Sequence, residues 1–482
     1  MPATGDTIGQ AAARLRAFLQ AHEQPLAIWL ALRVGLTLVA VLAGLSLPSR
    51  TPGGTAPYHL PPTPALWDRL VGVWAHWDGL WYLQIASVGY RPKDGTTAFL
   101  PLYPWAVGAL GTVLGGRYLV AGVLLSSLLF AGVLLLLDRL VRDQYGPALA
   151  PRTVLALAVF PTAFFFWAIY SEGLFLLLAL GMFVAAGQRR WLLAGLCVAG
   201  ALWTRPFGVV LLPCLAWEWW LAALTPQPPL LKGEGEKDAL TPRPPLLKGE
   251  GEKDALTPQP PLLKGEGEIV SGGSGPGDES RRYSAPPNPH SEIGGHRPLL
   301  HSAPRRHSAF RIPHSAIAAF VPPLLAVGLL PVWSFWAVGR PLAFIQTQAE
   351  WNRAFSWPWT TAVNAVRVAA DTPFQYQEES QSWFYLATLI LFGGLAVAGW
   401  VRGWLRPPHA LYLTLGLLFP LFSATPHNPL LSLPRFVLVL FPAFILLARA
   451  GRRPWLAYPL LAVSALLLAL YTIRFVNWFW VA

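Results

Sequence analysis

The chain has 482 residues, 54% of them hydrophobic and only 12% charged, with a mean hydropathy of +0.44. A soluble globular chain carries about 25% charged residues, so the composition excludes that class and indicates an all-α polytopic membrane protein. The formal charge of +12 is no nucleic-acid footprint, because much of it lies in short loops where it sets topology.

In chain order, residues 1–25 read as a cytosolic lead-in, too polar for a signal-peptide core and carrying Arg14 and Arg16. Apolar runs follow at 26–47, 117–137, 152–169, 173–187, 191–203, 207–224, 315–338, 383–401, 409–424, 434–448 and 455–475. A helix of about 17–25 residues crosses roughly 30 Å of hydrocarbon, so these runs, several of them short, are the expected spans. The alternation of a membrane β-barrel is absent. Segment 99–116 is apolar but interrupted by Pro101, Pro104 and glycines, and reads as a re-entrant or interfacial element. With the N-terminus inside, that reading makes four arginine groups cytoplasmic: Arg139/Arg142/Arg152, Arg189/Arg190, Arg402/Arg406 and Arg449/Arg452/Arg453. One more span would put most of them outside. Cys197 and Cys214 fall inside apolar runs and read as packing residues, with no disulfide or metal role.

The spans form two membrane modules, 26–224 and 315–482, with outer loops at 48–116 and 340–382. Between the modules, LTPQPPLLKGEGEKDA begins at Leu224, recurs from Leu240 with Arg for Gln, and starts again at Leu256. Such Pro-, Gly-, Lys- and Glu-rich sequence buries too little apolar surface to offset chain entropy. Residues 225–314 are therefore expected to be a disordered cytoplasmic insertion, dispensable for catalysis.

The polar motifs gather on the opposite, outer face. The most informative is WAHWDGLWYLQIASVGYRPKDGTTAFLPLYP, from Trp74 to Pro104. Here Asp78 sits among Trp77, Trp81 and Tyr82, as suits the membrane–water boundary, and no basic residue lies near it in sequence. Aromatic walls and a free carboxylate at this depth point to chemistry on a lipid-borne substrate. Plainer readings exist: Asp78 could cap a helix, and Arg205 and Arg435 could anchor spans at the headgroups. Glu172 could mark the end of a span, although an ionisable residue in an apolar setting is a functional candidate by default. Arg33 is expected to snorkel to the cytosol, and Phe164 to Trp167 to face lipid or pack.

The chain resembles the PIG-V-like mannosyltransferases, the GPI mannosyltransferase II family within the GT-C superfamily of membrane glycosyltransferases. Four blocks carry the resemblance: Trp77 to Pro104; FPTAFFFWAIYSEGLFLLL with Tyr170, Ser171 and Glu172; TRPFGVVLLP with Thr204 and Arg205; and SLPRFVLVLFPAF with Arg435. A weaker fifth is QAEWNR, ending at Arg353. The chain departs from the family at Gly173, where a second small polar residue is frequent, and near Pro206-Phe207. The resemblance implies a GT-C-like fold and transfer of mannose from a polyprenyl-phosphate donor to a lipid-linked or surface glycan on the outer face, with inversion. Asp78 is then expected as the general base, with Trp77, Tyr82, Tyr170, Glu172, Arg205, Arg353 and Arg435 binding substrate. Arg205 and Arg435 are the expected phosphate ligands. No metal or cofactor is expected, since there is no DxD pair and no His/Cys set with ligand spacing. The repeat's character and the lack of a retention signal favour a bacterial plasma membrane. A transporter or lipid flippase is the alternative, but it is often built from two related halves, and neither the WD nor the YSE block recurs. A non-catalytic scaffold of glycan assembly is a third reading.

Overall fold

The computed structural model describes residues 19–47, 65–224, 314–350, 352–373 and 381–481. The expected disordered insertion lies outside the described residues. In the first module the helices are α1 (Glu23–Ser46), α2 (Ala65–Leu70), α3 (Asp78–Val88), α4 (Leu102–Val113), α5 (Tyr118–Tyr145), α6 (Ala150–Ala158), α7 (Glu172–Gly187), α8 (Trp191–Thr204) and α9 (Leu211–Leu224). In the second they are α10 (His314–Val338), α11 (Ala343–Glu350), α12 (Pro358–Asp371), α13 (Ser382–Val401), α14 (Pro407–Leu418), α15 (Leu433–Val437), α16 (Phe441–Ala450) and α17 (Pro454–Val476). The strands described are two-residue pieces, β1 (Ala354–Phe355) and β2 (Ser423–Ala424), paired antiparallel. The fold is all-α and polytopic.

Six helical stretches among the described residues are long and apolar enough to cross a membrane: α1, α5, Pro206–Leu224, α10, α13 and α17. Their outward faces are apolar, as at Leu30, Val34, Leu38 and Leu42 of α1 and Trp336 of α10, which lipid would cover. Helix α4 has 12 residues, or roughly 18 Å at 1.5 Å per residue, well short of roughly 30 Å of hydrocarbon.

Two expected spans, 152–169 and 434–448, are not continuous helices. Proline cannot donate to the helical ladder and disfavours helix in the residue before it. Helix α6 stops at Ala158 ahead of Pro161, and the later segment divides into α15 and α16, each with proline in its first turn. Every residue from Val159 to Gly173 is buried. Irregular backbone at this depth survives because neighbouring chain satisfies it: Ile169 N–H donates to the Trp74 carbonyl at 2.9 Å, and Thr162 Oγ1 to the Pro434 carbonyl at 2.9 Å. These irregular stretches hold the site together.

Helix α10 carries Pro322 and Pro323 in its interior. Each proline leaves the carbonyl four residues earlier without its helical donor. Those carbonyls, of Ala318 and Ala319, face Gly195 of α8, where any side chain would collide: a Cβ there would lie 2.4 Å from the Ala319 oxygen. The missing side chain permits the close crossing that small residues give to membrane helices.

Arg33 corrects its sequence-based expectation. Its guanidinium lies 5.3 Å and 5.5 Å from the rings of Trp74 and Trp167, so it turns inward onto aromatic faces instead of snorkelling. Phe164, Phe165, Phe166 and Trp167 are all buried, which makes them packing surface and not lipid-facing.

Candidate active site

Asp78 is the first residue of α3, and the residue before it, Trp77, has φ 55° and ψ −121°. A bulky residue at positive φ is a strained position that surrounding structure must enforce. Trp77 is clamped by rings: Trp480 edge-on at 5.1 Å and Trp478 at 5.8 Å. The sharp entry delivers Asp78 to the first turn of α3. Its side chain caps nothing. The Asp78 backbone N–H donates to Tyr170 Oη at 3.2 Å, and Asp78 Oδ2 accepts from Arg435 Nη1 at 2.6 Å.

Arg435 reaches a second carboxylate, with its Nε 3.0 Å from Glu172 Oε1. Arg205 Nη1 lies 2.7 Å from the same oxygen. Glu172 is 1% exposed and begins α7, so one buried carboxylate holds two guanidiniums. These are charge contacts and not aligned hydrogen bonds, because neither Glu172 oxygen accepts one among the described residues. Arg205 follows the last turn of α8, where Pro206 forces extended backbone. Its guanidinium stands 5.2 Å from the Phe436 ring, and Arg353 stands 6.0 Å from the same ring.

Arg353 differs from the other two. Among the described residues it makes no side-chain hydrogen bond or ion pair. Burial, helped by the charges of Arg435 and Arg205 and opposed by Asp78, pushes it down to about 10. It therefore keeps its charge at neutral pH without an ion-pair contact to either carboxylate. Three guanidiniums face two carboxylates here, leaving one positive charge unbalanced.

These groups border a cavity of about 300 Å³. Asp78, Tyr82, Arg205, Arg353 and Arg435 line it, with Thr204, Gln348, Ser432, Phe436 and Trp480. Asp78 Oδ1 accepts no hydrogen bond among the described residues. Tyr82 donates to Ser171 Oγ at 2.9 Å, and burial with the Glu172 charge pushes its phenol up, so it stays neutral. Glu172, Tyr170 and Trp77 do not line the cavity. They stand one layer behind and fix the residues that do.

Sequence reasoning passed over Trp480 and Ser432. Trp480 belongs to a tryptophan-rich stretch beyond the last span. Its carbonyl accepts from Gln381 Nε2 at 2.6 Å and its Nε1 donates to Tyr385 Oη at 3.3 Å, which seats its ring at the cavity. The cluster of tryptophans after an apolar run was the available signal. His427 is exposed in its loop and absent from the cavity lining.

Residues 52–216 match the family model described as Mannosyltransferase (PIG-V). No curated protein and no solved structure matches the chain. The matched stretch contains Asp78, Tyr170, Glu172 and Arg205, whereas Arg353 and Arg435 come from beyond it. The match supports a PIG-V-like assignment and membrane mannosyltransferase activity in general.

Proposed function

We infer that this PIG-V-like mannosyltransferase moves a hexose, mannose first, from a polyprenyl-phosphate donor to a lipid-linked or surface glycan on the outer face. The observation that carries the reading is a carboxylate with one oxygen open, Asp78, in the same cavity as an uncommitted guanidinium, Arg353. An acceptor hydroxyl attacks the anomeric carbon and passes its proton to Asp78 Oδ1. The bond from that carbon to the phosphate oxygen breaks, and polyprenyl phosphate leaves with the electron pair. Fixed positive charge stabilises the departing phosphate, and direct displacement inverts the anomeric centre. One carboxylate is enough, unlike the paired carboxylates of glycoside hydrolysis.

Arg205 and Arg435 are partly neutralised by Glu172 and Asp78, so Arg353 makes the first phosphate contact. The other two guanidiniums keep the cavity electropositive. Thr204, Ser432 and Gln348 supply hydroxyl and amide groups for the sugar. The outer-face assignment draws on helix direction: α7 runs from Glu172 to Gly187, and α8 returns from Arg190 to Arg205. The site and the Arg189-Arg190 turn therefore occupy opposite ends of these helices, and clustered arginines favour the cytoplasm.

The test is transfer by the purified full-length chain in proteoliposomes, with a membrane lipid extract as acceptor. Polyprenyl-phosphate mannose, polyprenyl-phosphate glucose and a sugar nucleotide are compared as donors, and products are read by mass spectrometry. Hexose should pass from the polyprenyl-phosphate mannose. Transfer from the sugar nucleotide alone would overturn the donor assignment.

A further inference from the structure

A second cavity, of about 410 Å³, lies among α6, α13, α16 and α17, and no residue of the candidate active site lines it. Its walls are almost wholly apolar, including Leu155, Val159, Leu391, Leu447, Leu461 and Leu467. One end differs. Arg152, near the start of α6, and Arg452, in the turn before α17, line it together and are both exposed. Arg449 is one turn away, with its Nε buried and without a hydrogen-bond partner. Among the described residues none of these three arginines has a carboxylate partner.

The groove has a direction and a length. Helices α6 and α17 both line the groove, and at its far end Ser464 Oγ donates to the Val159 carbonyl, just past α6, at 2.9 Å. Lining residues on α17 extend from Pro454 to Leu467, roughly 20 Å at 1.5 Å per residue. One leaflet of the hydrocarbon core is roughly 15 Å deep. Phe160 closes the far end, packed edge-on against Phe392 and Phe444 at 5.8 Å and 5.3 Å. The shape is a one-leaflet slot with a cationic entrance.

We propose that this slot binds one acyl chain of an anionic phospholipid from the surrounding membrane, with the lipid phosphate held by Arg152 and Arg452. Basic pockets between membrane helices suit anionic headgroups, and the guanidinium fork matches phosphate oxygens. The position is separate from the proposed donor-phosphate site, because Arg435 precedes α16 whereas Arg449 sits in its last turn and Arg452 just beyond it. The lipid would brace α6 against α17. From there the brace continues through Thr162, which holds the Pro434 carbonyl beside Arg435.

The experiment uses the full-length chain, delipidated in a non-ionic detergent. Native mass spectrometry and thermal midpoints are recorded with phosphatidylglycerol, with phosphatidylcholine of the same acyl chains, and with polyprenyl phosphate. Phosphatidylglycerol should remain bound through delipidation and raise the midpoint, whereas phosphatidylcholine should do neither. The double variant Arg152→Ala/Arg452→Ala should weaken phosphatidylglycerol binding roughly thirtyfold, the scale of two surface-lipid charges. Ala156→Trp, which fills the slot and keeps both arginines, should displace the lipid and guards against a misfolded double variant. Equal binding of the two phospholipids, preference for polyprenyl phosphate, or phosphatidylglycerol binding unchanged in both variants overturns the proposal.

Discussion

Asp78 and Arg435 are 357 positions apart in the chain, yet Arg435 Nη1 lies 2.6 Å from Asp78 Oδ2. One comes from the first membrane module and the other from the second. Their pairing joins the two modules at the cavity and engages Oδ2, leaving Oδ1 without a hydrogen bond among the described residues.

Asp78→Asn preserves the shape of the side chain and removes the proton acceptor. Transfer should fall by roughly 10²–10⁴-fold, the usual contribution of a positioned acid or base, with membrane insertion unchanged. Near-normal turnover by the purified variant would remove Asp78 from the mechanism.

Glu172 touches two arginines and does not line the cavity, so the proposed role for it is positioning. Removing one partner of a buried ion pair costs about 3–5 kcal/mol, so Glu172→Gln should lower the thermal midpoint as well as transfer. Glu172→Asp should recover part of both. A Glu172→Gln variant with wild-type stability and activity contradicts the clamp.

Arg353→Ala should lower kcat/KM for the polyprenyl-phosphate donor roughly 10²–10³-fold, the cost of losing one preorganised charge donor. Arg353→Lys should restore it in part, because an ammonium keeps the charge and loses the fork. Donor kinetics unaffected by Arg353→Ala would shift phosphate binding to another group.

His76 sets a pH dependence. Its Nδ1 donates to the Phe475 carbonyl at 3.1 Å, its ring stacks on Trp478 at 3.9 Å, and burial pushes it down to about 4. The unfolded chain binds a proton as pH falls through about 6.5, and the folded chain resists until about 4. Stability from this residue is therefore complete above about 6.5 and is lost toward pH 4, on the order of 3 kcal/mol in all. Thermal midpoints at pH 7.5, 5.5 and 4.5 should drop more steeply for wild type than for His76→Gln. Parallel profiles would show that another group governs acid sensitivity.

The long spans were legible because each is a contiguous apolar run, and composition alone selects helix for such runs in lipid. Asp78 also stood out in the sequence, because a lone carboxylate among tryptophans has local contrast. Glu172 and Arg435 were picked out one by one, but how they meet around it was not legible. The partners Arg435 and Glu172 lie hundreds and scores of residues away, and no periodicity connects them to Asp78. Arg33 was misread because a cation near a span end snorkels unless tertiary structure offers aromatic faces, and Trp74 and Trp167 supply them from other segments. The runs containing Pro161 and Pro434 were read as continuous spans, because apolar composition outweighed their prolines; packing shows that the broken backbone is buried beside the site.

The distance along the chain between Asp78 and Arg435 also sets a timetable for biogenesis. At about 5–20 residues per second of synthesis, the separation of 357 positions imposes a wait of roughly 20–70 s. Partway through that interval Glu172 is made as well, and both carboxylates then await the arginine they share. Newly inserted helices of the first module must therefore tolerate carboxylates without their final counter-charge. Trp480, still later, arrives to complete the wall. A chain stalled anywhere before Arg435 lacks the guanidinium that contacts both Asp78 and Glu172, so on the proposed mechanism such a membrane-inserted fragment carries an incomplete site.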